Sequence, residues 1–314
     1  MEYWKEIRPL SRMDAVVKMP GSKSYTQRAL VIAALAEGTS VVRDPLLSED
    51  TKHLMGALSS LGAGVRIEDG VVLVTGTGGK IACPHGEIRL GNNGTAMRFL
   101  VAAVSLGSGV YTLGGDARLC ERPIQPLLDA LSALGVDARS LRGDGCPPVC
   151  IRASGLRGGR VVLRAIESSQ YVSALLLSAP YAAGDIRIEL EGRTPSLPYV
   201  AMTVEAMAHF GQAVLRPDPR VFVVRPGGGY RARDCRKEAC RAHRAGRMPV
   251  VQRQQDHHHG RGRHDHHGQP GAGAQGALPH HSGQGRRDLL RPQRGGLQLP
   301  DVQPERGRGG RPDG

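Results

Sequence analysis

The stretch Pro20-Gly21-Ser22-Lys23-Ser24-Tyr25-Thr26-Gln27-Arg28 puts two cations and three small hydroxyls within one turn-like segment. Cations attract an anion, and hydroxyls add directional donors, so this set suits a phosphate or carboxylate ligand. A Pro-Gly turn opens the stretch and an apolar segment, 29–36, follows at once, which is the order of a loop, a cap and a helix start. The first N–H groups of a helix are unpaired and carry a partial positive charge, so the backbone adds to the same site. The plainer reading is an ordinary N-cap with two solvated cations. Against it, the construction recurs twice: Gly91-Asn92-Asn93-Gly94-Thr95 leads into apolar residues 96–106, and Glu167-Ser168-Ser169-Gln170 leads into 171–179.

The elements that would position these loops also repeat. Each apolar helix (24–38, 96–106, 171–179) is followed by a strand (41–42, 110–113, 186–190) and then an amphipathic helix (50–61, 124–134, 199–210). Residues 65–67 and 71–74 read as two further strands, 88–90 and 161–163 as strands opening the second and third rounds, and 15–17 as one ahead of the first. Glycines stop the amphipathic helices at Gly62, Gly135 and Gly211, so the chain has an internal period of a little over seventy residues. A helix apolar all round must be buried on every side. The expected fold is therefore α/β, with three units around a shared axis and the three apolar helices in the middle. Their loop-bearing starts would then meet at one end, merging three weak anion sites into one strong site.

The formal net charge of +13 invites a nucleic-acid reading, but the charge is uneven. From Gly229 onward there are 17 Lys and Arg against 8 Asp and Glu, leaving 25 against 21 before it. The body is nearly neutral, so a basic site must be local, and no nucleic-acid partner is expected. The six cysteines show no disulfide framework, and Cys146-x3-Cys150 has no matching second pair, so no metal site is expected. The charged first residues do not read as a secretion signal, and no apolar run is long enough to span a membrane. A cytoplasmic protein is expected.

Five stretches, in this order, resemble the enolpyruvyl transferase family in its EPSP synthase branch: Pro20-Gly-Ser-Lys-Ser with Arg28-Ala29-Leu30, Leu90-Gly-Asn-Asn-Gly-Thr-Ala-Met-Arg98, Glu121-Arg-Pro-Ile124, Ser168-Ser-Gln170, and Ser196-x-Pro-Tyr199. The resemblance covers roughly residues 10–228. It implies an inside-out α/β barrel domain made of three βαβαββ units around buried helices, here at about 19–85, 86–158 and 159–229, with residues 1–18 as an N-terminal strand and hinge. It also implies a reaction: transfer of the enolpyruvyl group of phosphoenolpyruvate to the 5-hydroxyl of shikimate 3-phosphate, in the shikimate pathway to chorismate and the aromatic amino acids. No metal or organic cofactor is implied, and a monomer is expected.

By the same resemblance Lys23 is catalytic and touches both substrates. Ser24, Arg28, Ser168, Ser169, Gln170 and Ser196 go with shikimate 3-phosphate, and Gly94, Arg122 and Gln170 with phosphoenolpyruvate. Chemistry supports several of these roles. Arg122 can grip a carboxylate or phosphate through two parallel N–H bonds. Gly94 would let the backbone approach a ligand closely, and Lys23 would offset charge developing on a tetrahedral adduct. Tyr199 reads either as a cover for the shikimate ring or as a core aromatic, Arg98 as a brace, and Asp50 as an exposed N-cap. Asn93 stands where the family often has Ala, and Leu197 where it often has Lys. The related UDP-N-acetylglucosamine enolpyruvyl transferases normally carry Lys-Asn in place of Lys23-Ser24.

Residues 230–314 change character. Arg outnumbers Lys sixteen to one, nine of the twelve histidines lie there, and Phe and Trp are absent. Such a composition buries too little apolar surface to order the chain, so this tail is expected to be disordered. A histidine-rich metal-binding tail and an Arg/Gly-rich nucleic-acid tail are alternatives. The preferred reading is a product of a shifted reading frame near residue 230. It leaves no counterpart for the Asp, Glu, Arg and Lys residues that the family's second domain supplies; Asp234, Glu238 and Asp256 fall in no family motif. Little or no turnover is therefore expected.

Overall fold

The computed structural model describes residues 20–235. Expectations placed on residues 1–19 and 236–314, including the opening strand, the hinge, the disorder and the shifted frame, lie outside the described residues. Three buried helices organise the rest: α1 (Lys23–Leu35), α3 (Gly94–Val104) and α5 (Gln170–Ser178). Every residue of α1 from Thr26, and every residue of α5 from Tyr171, is buried, which accounts for their all-round apolar sequence. α1 packs on α3, and α3 on α5.

Three outer helices, α2 (Glu49–Ser60), α4 (Gln125–Ala133) and α6 (Leu197–His209), each keep one wet face. Of these, α6 lies against both α1 and α5. Its inward side chains are Val200, Thr203, Ala206 and Met207.

Three four-stranded sheets surround the helices. The second runs β4 (Glu87–Arg89), β5 (Ser108–Gly114), β7 (Val149–Ser154), β6 (Asp137–Ser140), and the third β8 (Gly159–Arg164), β9 (Ile186–Glu191), β11 (Val221–Val224), β10 (Leu215–Asp218). In both, the strand before the buried helix pairs parallel with the strand after it, and the other pairings are antiparallel. The parallel pairing follows from the crossover through a helix.

The first sheet keeps this pattern with one exchange. Its order is β12 (Asp234–Cys235), β1 (Thr39–Val42), β3 (Val71–Thr75), β2 (Gly64–Glu68). The parallel partner of β1 therefore comes from the far end of the described chain, with Val41 opposite Asp234 and Val42 opposite Cys235.

This corrects the placement of a disordered tail from residue 230. Tyr230 and Cys235 are buried, the Glu37 N–H donates to the Tyr230 carbonyl at 3.0 Å, and Arg43 holds the Asp234 carboxylate through two bonds at 2.8 and 3.0 Å. Tyr181 completes the closure. Its hydroxyl donates to the Leu35 carbonyl at the end of α1 and accepts from the Tyr230 N–H at 2.8 Å, while the Tyr230 hydroxyl donates to Leu177 O at 2.9 Å. Gly79, at φ +83°, lies under the Tyr181 ring, where a Cβ would come within 2.3 Å of it. Among the described residues, no helix is long and apolar enough to cross a membrane.

Candidate functional site

Each buried helix starts with a different device, and the three starts share one cleft. Ser22 caps α1, its hydroxyl accepting from the Tyr25 N–H, and Lys23 is the first helical residue. Asn93 caps α3 by accepting from the Ala96 N–H at 3.0 Å. Ser169 occupies the cap position of α5 without a side-chain cap bond. Between them lies a cleft of about 340 Å³ lined by polar residues from all three units: Lys23, Asp50, Asn92–Thr95, Arg98, Arg122, Ser168 and Gln170.

Polar contacts tie these elements together. The Lys23 ammonium meets the Asp50 carboxylate at 2.7 Å. Arg98 donates to the Gly94 carbonyl at 2.9 Å, to Gln170 Oε1 at 3.2 Å and to the Pro123 carbonyl at 3.0 Å, and its guanidinium sits 5.4 Å over the Tyr171 ring. Gln170 in turn donates to the Thr95 hydroxyl at 3.0 Å. Arg98 therefore braces the starts of α3 and α5, as the sequence suggests, while lining the cleft.

Arg122 differs from the other two cations. It follows a short 3-10 turn, Leu119–Glu121, and is half-buried, and among the described residues its side chain has no ion pair or hydrogen bond. A Cβ on Gly94 would stand 2.8 Å from Arg98 Nη1 and 3.0 Å from Arg122 Nη1. Gly94 thus leaves room for two guanidinium tips, a more specific role than backbone approach to a ligand. Among the described residues that line it, Lys23, Arg98 and Arg122 stand against the single carboxylate Asp50, a net positive charge.

The cleft gathers Lys23, Gly94, Arg122, Ser168 and Gln170 of the residues picked out in the sequence. Ser24, Arg28, Ser169 and Ser196 are not among its lining residues. Ser169 is buried, and Ser196 is exposed at the start of α6 in a left-handed conformation, φ 56°.

Arg28 departs furthest from the expectation of a ligand contact. It is 1% exposed, and its guanidinium donates to the Thr203 hydroxyl (2.7 Å), the Ser173 hydroxyl (3.3 Å) and the carbonyls of Ser24 (2.9 Å) and Tyr199 (3.2 Å). Burial pushes its pKa down to about 10, with the neighbouring Tyr199 acting the other way. The ring of Phe99 lies at 5.2 Å and that of Tyr199 at 5.8 Å. Tyr199 itself is 43% exposed, which removes the core-aromatic reading.

Asp50 also differs from expectation. Ser48, not Asp50, caps α2, in a capping box with Thr51, and Asp50 instead holds Lys23. Asn93, noted only as a departure from the family pattern, is 2% exposed, and its Nδ2 donates to the Asp50 carbonyl at 2.7 Å. No motif could reveal that bond, because its two ends come from different units.

A model of the EPSP synthase (3-phosphoshikimate 1-carboxyvinyltransferase) family matches residues 7–236. A curated 3-phosphoshikimate 1-carboxyvinyltransferase of Shewanella amazonensis is 44% identical over 227 residues, covering 71% of this chain and 53% of that protein. One of a Sulfurovum species is 42% identical over 229 residues, covering 72% and 54%. The solved EPSP synthase of Acinetobacter baumannii superposes with a TM-score of 0.63 at 27% identity, over 69% of this chain and 48% of that one. The chain spans about half the length of the curated relatives it matches. A match over residues 7–236, with three repeated units and one shared cleft inside it, means that the chain belongs to the EPSP synthase family.

Proposed function

We propose that the cleft binds phosphoenolpyruvate and shikimate 3-phosphate and serves transfer of the enolpyruvyl group from the first to the 5-hydroxyl of the second. In that reaction the hydroxyl gives up its proton as its oxygen bonds to C2 of phosphoenolpyruvate, and the methylene carbon gains a proton to become a methyl group. Loss of a proton from that methyl group, with cleavage of the bond between C2 and the phosphate oxygen, then restores the double bond and releases inorganic phosphate. The observation that carries the reading is Arg122, a half-buried guanidinium without a partner among the described residues, in a cleft that also holds Lys23, Arg98 and Gly94. A cation in that state invites a carboxylate or phosphate, and its planar fork suits two-point binding. Lys23, which lines the cleft, would offset charge on the adduct, and Ser168 and Gln170 would add uncharged donors. Ser24, Ser169 and Ser196 are proposed as further donors to the shikimate phosphate, and Arg28 as their buried support. The family match disfavours the UDP-sugar alternative.

A second reading, binding without efficient turnover, is favoured by one feature. Among the described residues Asp50 is the only carboxylate lining the cleft, and it is engaged by Lys23. The described lining thus offers cations and donors but no unengaged carboxylate to move a proton. Calorimetric titration of the 314-residue chain with each ligand, beside an assay of phosphate release, tests both readings. Both ligands should bind, UDP-N-acetylglucosamine should not compete, and phosphate release should be far slower than for full-length relatives. Failure of both ligands to bind would overturn the first reading; release at the relatives' rate would overturn the second.

A further inference from the structure

Asn93 is the most deeply buried side chain in the cleft lining, and both ends of its amide are engaged. Its oxygen caps α3, while its nitrogen donates to the main-chain carbonyl of Asp50 in the first turn of α2. One amide therefore bridges the starts of two helices from different units. The residue it grips is also the one whose carboxylate holds Lys23. The capping box of Ser48 and Thr51, and the bond from the Leu46 N–H to the Thr26 hydroxyl, hold the start of α2 on itself and on α1, but neither reaches α3.

We propose that Asn93 is a positioning residue that fixes Lys23 over the cleft by way of Asp50, and so sets the affinity for phosphorylated carboxylic acids. The inference rests on the reading of the cleft given above and deepens it. Helix capping alone does not require asparagine, since Ser, Thr and Asp cap as well. The amide carries its acceptor and its N–H donor on separate arms, Oδ1 on the Ala96 N–H and Nδ2 on the Asp50 carbonyl, and no other capping side chain has both arms. The Lys23–Asp50 pair is partly solvent-exposed, with side chains 50% and 28% exposed, and adds little to stability, so its structural consequence is where it holds the ammonium.

Asn93→Ser separates the two functions, because a serine keeps the cap but lacks the Nδ2 arm that reaches the Asp50 carbonyl. Calorimetry with phosphoenolpyruvate, and separately with inorganic phosphate, would be run on the full chain, Asn93→Ser, Lys23→Ala and the double variant. Asn93→Ser should weaken phosphoenolpyruvate binding about five-fold, and should weaken it no further when Lys23 is already alanine. A second readout needs no ligand. The chain has six lysines; after reductive 13C-methylation, the Lys23 signal, assigned by its loss in Lys23→Arg, should move in Asn93→Ser.

Equal losses in both backgrounds would mean a merely structural asparagine and overturn the proposal. Unchanged affinity in Asn93→Ser, or an unmoved Lys23 signal, would overturn it too. If the parent chain bound neither anion, the reading of the cleft would fall by itself, and the Lys23 signal would still decide whether Asn93 positions that lysine.

Discussion

Three cations face one cleft, and their partners give them different work. Lys23 answers to Asp50 and Arg98 to two carbonyls and Gln170, whereas Arg122 has no such partner among the described residues. Arg122→Lys keeps the charge but loses the planar fork, so phosphoenolpyruvate binding should weaken by at least about ten-fold in a calorimetric titration. The melting temperature should hardly change, because no internal bond is lost. Unchanged affinity would remove Arg122 from the site. At this scale the sequence was most legible, since Lys23, Gly94, Arg122, Ser168 and Gln170 all stand in short motifs and all line the cleft. Arg28 shows the limit. A cation five residues after Lys23 reads as a second ligand arm, but α1 turns it inward, and burial rather than type decides what it can touch.

Among the elements, α1 shows how a helix apolar on all sides accommodates a charge. Arg28 reaches across to α5 through Ser173 and to α6 through Thr203 and the Tyr199 carbonyl, and lies against Phe99 of α3. One side chain thus joins the three buried helices to α6. Arg28→Ala would open a cavity and leave buried acceptors without their donor, and should destabilise the protein by about 2–4 kcal/mol in equilibrium urea unfolding. A loss below about 0.5 kcal/mol would show that the network contributes little. The six α-helices among the described residues were legible to within a few residues, because their apolar patterns and glycine stops are local. Of the strands, β6 (Asp-Ala-Arg-Ser) and β10 (Leu-Arg-Pro-Asp) were not, being short edge strands whose polar sequence gives no alternating signal. β7 and β11 are apolar enough to have been seen, but a four-residue run such as Val221–Val224 does not declare its pairing.

Across the whole molecule, the Tyr181–Tyr230 contact closes the ring of units at the end away from the cleft. Burial pushes the Tyr181 phenol up to about 12, two units above its ordinary value. A raised folded pKa for an acid that is neutral when protonated means that the folded state holds its proton more tightly than the unfolded one. The associated stability is therefore complete below pH 10 and is lost as pH rises toward 12. Tyr181→Phe should lower stability by about 1–3 kcal/mol at pH 8, because the Tyr230 N–H loses its acceptor and the Leu35 carbonyl a donor. Melting curves at pH 8 and near pH 11 should show the parent approaching the variant as alkali removes the advantage; a constant gap would place the stabilisation elsewhere.

β12 is the feature of this closure that the repeat does not announce, because an internal period predicts each unit's sheet from its own residues. The first sheet instead takes its outermost strand from residues 234–235, some 190 positions after β1. On the ribosome, Val41 and Val42 emerge early and then wait for their neighbour. At ordinary elongation rates that wait lasts roughly ten to forty seconds. Throughout it the nascent first sheet presents an unpaired parallel edge, the kind of edge that recruits other chains. Chaperone demand for this protein should accordingly peak during translation rather than after release, and slower synthesis should lower its soluble yield instead of raising it.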